Sequence, residues 1–339
     1  MVASDLARAA LLVTIPAAAL LNLLRIEQLY IVAALAGALD IFFDVAYQSY
    51  LPALVDREHV LEGNSKLGAT ESLAEIGGSA LTGTLVQILS APVTILIDAI
   101  SFLFSVVSVL LIRKPEPLPI PRNERSSVRR EIVEGLQVVA GNPVLRALAS
   151  GAGTLAFFGS FFGSLYALYA IRVLAIEPAV LGFLIASGGV GALIGALLAG
   201  RVTHRLSLGT TLVGSLALTG AMHVFVPLAS LGPKWLAVAF MFISQIGGDM
   251  VRTVFFINEL SLRQAITPDR LLGRTNASMS FMVGGVATFG LLAGGLLGET
   301  IGVLPGVIVA ALGSSLAFLW LVFSPVRALR RQSDVSPVA

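Results

Sequence analysis

The sequence predicts an all-α integral membrane protein, a helical bundle of about ten transmembrane segments set out as four plus six. Three observations carry that reading. Of 339 residues, 56% are hydrophobic and 12% charged, about half the charge of a soluble globular chain. Ten apolar stretches approach the ~20 residues a helix needs to cross about 30 Å of hydrocarbon, where a membrane β-barrel would show short alternating segments. A shift of 212 residues then lays part of the first set of spans onto the second.

The first four spans lie at 6–24, 29–51, 65–88 and 92–112. Arg8 followed by the small run Ala17-Ala18-Ala19 gives the start a likeness to a secretory signal, but the nine further spans favour a retained helix. Asp40, Asp44, Tyr47 and Gln48 share one face of the second span at one-turn spacing. Glu71 and Glu75 stand near the inner end of the third, where Lys66 can pair with either. The fourth runs from Pro92 and carries Asp98 near its outer side. Together these spans form an N-terminal bundle at 1–112.

A polar central loop follows at 113–146. Alternating Pro115, Pro117, Pro119 and Pro121 favour an extended linker. Ser127 can then cap a helix with Val128, Ile132, Leu136 and Val139 on one face, and Asn142-Pro143 ends it. A surface helix on the inner leaflet and a solvated connector both fit this pattern. Six spans complete the chain, at 147–171, 179–200, 209–229, 235–258, 276–298 and 303–323, giving a C-terminal bundle at 147–327 and a disordered tail at 328–339.

With the N-terminus in the cytoplasm, 18 of the 22 Lys and Arg residues, Arg8 among them, fall on the inner side, as the positive-inside rule requires. Arg25, Arg172 and Lys234 fall outside, and Arg252 lies within a span. The expected location is therefore the inner (plasma) membrane, multi-pass, with both termini cytoplasmic. The net charge of +2 comes without aromatic interleaving or a basic recognition helix, so no nucleic-acid partner is expected. The absence of Cys excludes disulfides, thiolate catalysis and Cys-based metal sites. No G-x-x-x-x-G-K-[ST], H-E-x-x-H or G-x-S-x-G is present, so the chain encodes no ATP motor and no enzyme of those types. No cofactor or metal is expected. The expected partners are a small-molecule substrate, protons and the lipid bilayer; the oligomeric state is not legible.

At the offset of 212, Ala53, Asn64, Gly78, Gly83 and Leu85 meet Ala265, Asn276, Gly290, Gly295 and Leu297. Two of these pairs are helix glycines and one is an Asn read as the entry from a loop into a helix. Paired sets of membrane helices around a central loop form the layout of a secondary transporter, with the substrate path between them. Gly290, Gly294 and Gly298 form a GxxxG ladder, as do Gly191 and Gly195, and helix packing is the preferred reading of these glycines.

Ionisable groups deep in a span cost about 2.5–3.5 kcal/mol each on insertion scales, so they face a cavity or a partner. Asp40 and Asp44 make one such stripe. Asp249, Arg252 and Glu259, with Phe256, make another, in which Asp249 and Arg252 can pair within their own helix. Asp40 and Arg252 are themselves counterparts at the offset of 212. They are candidates for a pair that breaks and reforms between the halves, a static ion pair being the alternative. Because desolvation opposes a charged carboxylate, Asp40 and Asp44 are also candidate proton carriers. Phe157, Phe158, Phe161, Phe162, Tyr166 and Tyr169 form an aromatic face suited to bulky amphipathic substrates or, equally, to lipid or helix contact. His204 and His223 read as isolated loop or packing residues.

Two stretches carry a family resemblance: Gly37-Ala-Leu-Asp-Ile-Phe-Phe-Asp44 running into Leu51-Pro-Ala-Leu-Val55, and Pro268-Asp-Arg-Leu-Leu-Gly-Arg-Thr-Asn-Ala277. The chain resembles the major facilitator superfamily, in particular bacterial drug and siderophore exporters of the enterobactin-exporter type. The resemblance implies that Asp5-Leu-Ala-Arg8 opens the third helix of the family pattern and that the first two helices are absent. It also implies that Asp40 and Asp44 lie on the fourth helix and Asp249, Arg252 and Glu259 on the tenth, both lining the central cavity. Gly200-Arg-Val-Thr-His204-Arg205 resembles the family's gating loop, with His204 in place of Asp, which leaves Arg205 as the gating candidate. Gly78-Ser-Ala-Leu-Thr-Gly83 and Gly290-Leu-Leu-Ala-Gly294-Gly295 resemble the antiporter pattern, with Ser79 replacing Pro. The implied function is proton-linked efflux of small amphipathic molecules by alternating access. The alternatives are a truncated, non-transporting remnant or mis-started fragment and, more distantly, an intramembrane aspartyl protease suggested by Ile246-Gly-Gly-Asp249.

Overall fold

The computed structural model describes residues 1–56, 59–112 and 128–330. The expected Pro-rich linker at 113–127 and the tail from 331 lie outside the described residues. All regular structure among the described residues is helical. Nine helical runs there are long and apolar enough to cross a membrane.

The chain divides into two units, Met1–Leu54 with Gly77–Arg125 and Val55–Ile76 with Ser126–Ala339. In the first unit, α1 (Val2–Leu20), α2 (Ile26–Leu54) and α4 (Ala91–Leu110) pack through α1, which touches both of the others. A left-handed Asn22 closes α1. Its N–H bonds to the Ala19 carbonyl and that of Leu23 to the Ala18 carbonyl, the two bonds that satisfy orphan carbonyls at a helix C-terminus.

The third helix, α3 (Val60–Leu89), is shared between the units. Its first half belongs to the second unit, where Leu61 and Ala69 pack on Ala196, Ala199, Val254 and Ile257. One expectation changes here. Asn64 and Asn276 do not sit where a loop enters a helix, because α3 begins at Val60 and α11 (Asp269–Thr300) at Asp269, so both lie inside helices and are buried. The Asn64 amide instead donates to the Ser261 hydroxyl at 2.9 Å and to Gln264 Oε1 at 2.7 Å. Lys66, in turn, pairs with Glu62 at 2.7 Å, one turn back, and this bond holds the Glu62 carboxyl below its usual range.

The second unit continues with the amphipathic α5 (Val128–Gly141) and α6 (Pro143–Leu168). Asn142 Oδ1 accepts from the Val144 and Leu145 N–H groups, and Pro143 occupies the first helical position, where its missing donor costs nothing. Through Val139 and a Glu134–Arg274 ion pair, α5 is docked onto the neighbouring helices. Beyond it run α7 (Pro178–Leu206), α8 (Leu208–Leu228), α9 (Lys234–Phe242), α10 (Gly248–Ile266), α11 and α12 (Val303–Ser314). The glycine ladders mark the closest approaches. A Cβ at Gly290 would meet the Phe157 backbone and one at Gly294 the Phe161 backbone, while Gly191 and Gly195 lie against the Ile246 and Met250 backbone.

Among the described residues four spans depart from uninterrupted α-helix, one of them only in a closing 3-10 turn at Ala229–Leu231. A π-helical turn at Tyr169–Val173 extends α6, and another at Ile243–Gly247 joins α9 to α10. The expected span 303–323 stands as one candidate crossing, Val303–Val322, but its regular α-helix is interrupted: α12 stops at Ser314 and a short α13 (Leu319–Val322) resumes after four residues of turn.

Candidate functional site

Among the described residues, each unit carries a cluster of charges within its candidate membrane spans. In the first, three helices contribute residues three apart: Asp5 and Arg8 from α1, Asp40 and Phe43 from α2, and Phe102 and Ser105 from α4. That spacing places both members of each pair on one helix face. Arg8 donates to Asp5 Oδ1 at 2.6 Å and to Asp40 Oδ1. The Ser105 hydroxyl donates to Asp5 Oδ2 at 2.6 Å. The guanidinium carbon lies over the Phe43 and Phe102 rings, 4.8 Å and 4.6 Å from their centres. Arg8 therefore meets both carboxylates and aromatic rings, two environments that a planar delocalised cation tolerates away from water.

This cluster is unbalanced. Asp44 and Asp98 lie within range of the Arg8 and Asp40 charges, so one arginine faces four carboxylates. The Asp5 side chain is 1% exposed and that of Asp40 is 53% exposed. A half-open carboxylate inside a span needs water or protein on its open side, since lipid would penalise the charge.

The second cluster grows from the π-turn at Ile243–Gly247. Such turns recur at functional sites because they break the regular ladder and turn side chains to new bearings. Here Gln245 Nε2 donates to Asp249 Oδ2 at 2.6 Å, and Arg252 Nη2 to Asp249 Oδ1 at 2.7 Å. Gly188 of α7 leaves the room that Asp249 and Gln245 occupy, because a Cβ there would collide with both. The charge of Asp249 reaches the Tyr166 hydroxyl and that of Arg252 reaches His223. The Tyr166 hydroxyl and His223 Nδ1 are buried without a hydrogen-bond partner among the described residues, and the His223 ring lies 4.7 Å from that of Phe162.

The expected site residues are therefore distributed unevenly. Asp40 and Asp44 join the first cluster; Gln48, one turn beyond on α2, is half-buried. Asp249, Arg252 and Tyr166 join the second. Ten residues after Asp249, about 15 Å along a helix, Glu259 is buried and paired with Arg263 at 3.7 Å. The Tyr169 hydroxyl donates to the Val226 and Pro227 carbonyls, capping the end of α8. Arg205 is exposed in the last turn of α7. A Cβ on Gly78 or Gly295 would meet nothing within 4 Å among the described residues, and the surroundings of Gly83 lie outside them.

Asp5, Arg8, Ser105, Gln245 and His223 are not among the site residues expected from the sequence, where His223 reads as a packing or loop residue. Arg8 was counted as an anchoring inner-side cation, yet it is 6% exposed and ion-paired. The signal was available: an Asp and an Arg three apart in an apolar helix are placed to neutralise each other. No group of three or more His, Asp or Glu among the described residues could hold a metal ion.

Comparison with known proteins follows the same outline. The Major Facilitator Superfamily pattern matches residues 2–262. The chain is 25% identical over 312 residues to an uncharacterized MFS-type transporter, y4rN, of Sinorhizobium fredii, covering 90% of this chain and 71% of that one. It is 26% identical over 289 residues to the enterobactin exporter EntS of Shigella dysenteriae serotype 1, covering 81% of this chain and 65% of the exporter. An uncharacterized MFS-type transporter of Bacillus subtilis, YfiS, is 26% identical over 284 residues, and the chain spans 66% of its length. Among solved structures, a bacterial homologue of the iron transporter ferroportin in an outward-facing state shares the fold with a TM-score of 0.70 at 21% identity, covering 87% of this chain and 72% of that one. The same kind of homologue with soaked iron gives 0.71 at 18% identity, covering 95% and 81%.

Proposed function

The chain belongs to the major facilitator superfamily, and from that premise we propose that this membrane transporter is a proton-linked exporter of small amphipathic molecules working by alternating access. The observation that carries the reading is the unbalanced cluster around Arg8. A buried guanidinium is shared by one enclosed carboxylate, Asp5, and one half-open carboxylate, Asp40, with Asp44 a turn away. Excess negative charge is relieved when a proton binds, and of the two carboxylates bonded to Arg8, Asp40 is the one with an open side to receive it. Protonation frees Arg8 from one of its two partners, so proton binding alters the contacts between α1 and α2. Release on the other side restores the pair.

The substrate surface in this reading is the Asp249–Arg252 pair with Tyr166, His223 and Phe162. It offers hydrogen-bonding groups beside aromatic faces, the combination an amphipathic solute needs. Arginine among the carboxylates of both clusters disfavours a divalent cation as cargo. We place the protein in the inner (plasma) membrane with the cation-rich helix ends and both termini in the cytoplasm.

The test is reconstitution in proteoliposomes with an amphipathic fluorescent dye. An imposed pH gradient should drive dye movement through the wild-type protein. Asp40→Asn should lose that drive while retaining dye–dye exchange. Undiminished pH-driven transport by Asp40→Asn would sink the proposal.

A further inference from the structure

The break between α12 and α13 opens a groove of about 730 Å³ on the second unit, within the ~300–1,000 Å³ of ordinary small-ligand sites. One wall is a polar line on α6: Arg146, Ser150 and Thr154 at four-residue spacing. The other is apolar, with Leu316, Trp320 and Phe323 exposed by 55%, 53% and 82%. The Trp320 indole N–H donates to the Thr154 hydroxyl at 2.9 Å and joins the two walls. In the break the backbone falls back on short bonds, Leu316 N–H to the Gly313 carbonyl and Ala317 N–H to the Ser314 carbonyl.

The charge at one end identifies the occupant. Arg146 is exposed, and the hydrogen bond of its side chain among the described residues goes to the Ala140 carbonyl, not to a carboxylate. Arg327 follows two residues after Pro325, which lines the same end. A ligand that fits therefore has an anionic head for Arg146, hydroxyl acceptors beyond it and an apolar tail for Trp320 and Phe323. We propose that this groove binds one anionic phospholipid of the surrounding bilayer, with its phosphate on Arg146 and an acyl chain along Trp320. The bound lipid covers the broken segment of the last span and gives the transporter a dependence on membrane composition.

The chain has two tryptophans, which makes the site directly readable. In a Trp235→Phe variant Trp320 is the sole tryptophan, selectively excited apart from the tyrosines, and brominated lipid quenches it on contact. The full chain in detergent micelles is titrated with dibromo-phosphatidylglycerol and, separately, with dibromo-phosphatidylcholine. Trp320 should be half-quenched at about fivefold less phosphatidylglycerol, the preference expected of one basic residue beside an anionic lipid. Arg146→Lys should keep the preference and Arg146→Gln should abolish it, while Trp235 in a Trp320→Phe variant shows none. Equal quenching by the two lipids, or a preference that survives Arg146→Gln, overturns the proposal. Displacement of the brominated lipid by the transported dye also overturns it and assigns the groove to substrate.

Discussion

Replacing Arg8 with glutamine removes the cation from between two carboxylates and two aromatic rings. The loss divides unequally. Asp5 is 1% exposed and receives the Ser105 hydroxyl as well as Arg8, so its charge would remain enclosed, and breaking such a buried pair costs about 3–5 kcal/mol. The Asp40 carboxylate is 53% exposed, and an open pair of this kind adds less than about 1 kcal/mol. The two ring contacts, at 4.8 and 4.6 Å, contribute roughly 0.5–2 kcal/mol each, overlapping the pair term. Arg8→Gln should therefore destabilise by about 4 kcal/mol, and Asp5→Asn by a similar amount because it leaves Arg8 enclosed. In the double variant neither buried charge remains, and a favourable coupling of about 2 kcal/mol is expected. Thermal loss of the monodisperse peak in size-exclusion chromatography provides the assay. The double variant should therefore lose about 6 kcal/mol, more than either single one but less than the roughly 8 kcal/mol of their sum. A loss equal to the sum would show that Arg8 and Asp5 do not act as a buried pair.

Three further outcomes follow from the packing. Gly290→Val forces α11 off the Phe157 backbone of α6, and the overpacking should cost about 1–3 kcal/mol or more, seen as a fall in melting temperature; an unchanged value would refute the close approach. Tyr169→Phe removes the hydroxyl that caps the end of α8 and should cost about 1–3 kcal/mol, with dye transport retained once the protein is folded. Asn64→Leu strips the amide from Ser261 and Gln264 and should destabilise by a similar ~1–3 kcal/mol, while Glu62→Gln, in an exposed pair on the same helix, should leave melting unaltered.

The fold was legible because hydrocarbon permits so few solutions. An apolar run of sufficient length must close its backbone hydrogen bonds within itself, so composition and span length already dictate a helical bundle, and the GxxxG rows on α7 and α11 pointed to close helix contacts. The chemistry was legible only in part. Asp40, Asp44, Asp249 and Arg252 stand out in a sequence because charge within a span is rare, yet their partners do not. Asp40 and Arg252 align at an offset of 212, but within its own unit each is bound to a different residue, Arg8 and Asp249 respectively.

What the sequence determined by itself was therefore class, helical character and the rarity of its intramembrane charges, since those depend on composition and one-dimensional spacing. The tertiary structure decided which charges meet. Asp5, Asp40 and Ser105 converge on Arg8 from positions as much as 100 residues apart, and Gln245 reaches Asp249 through a π-turn. It also opened the groove beside Trp320, because a span that reads as one apolar run breaks after Ser314. Pairings of this kind depend on which helix faces are pressed together, and periodicity along a single helix carries no record of its neighbours.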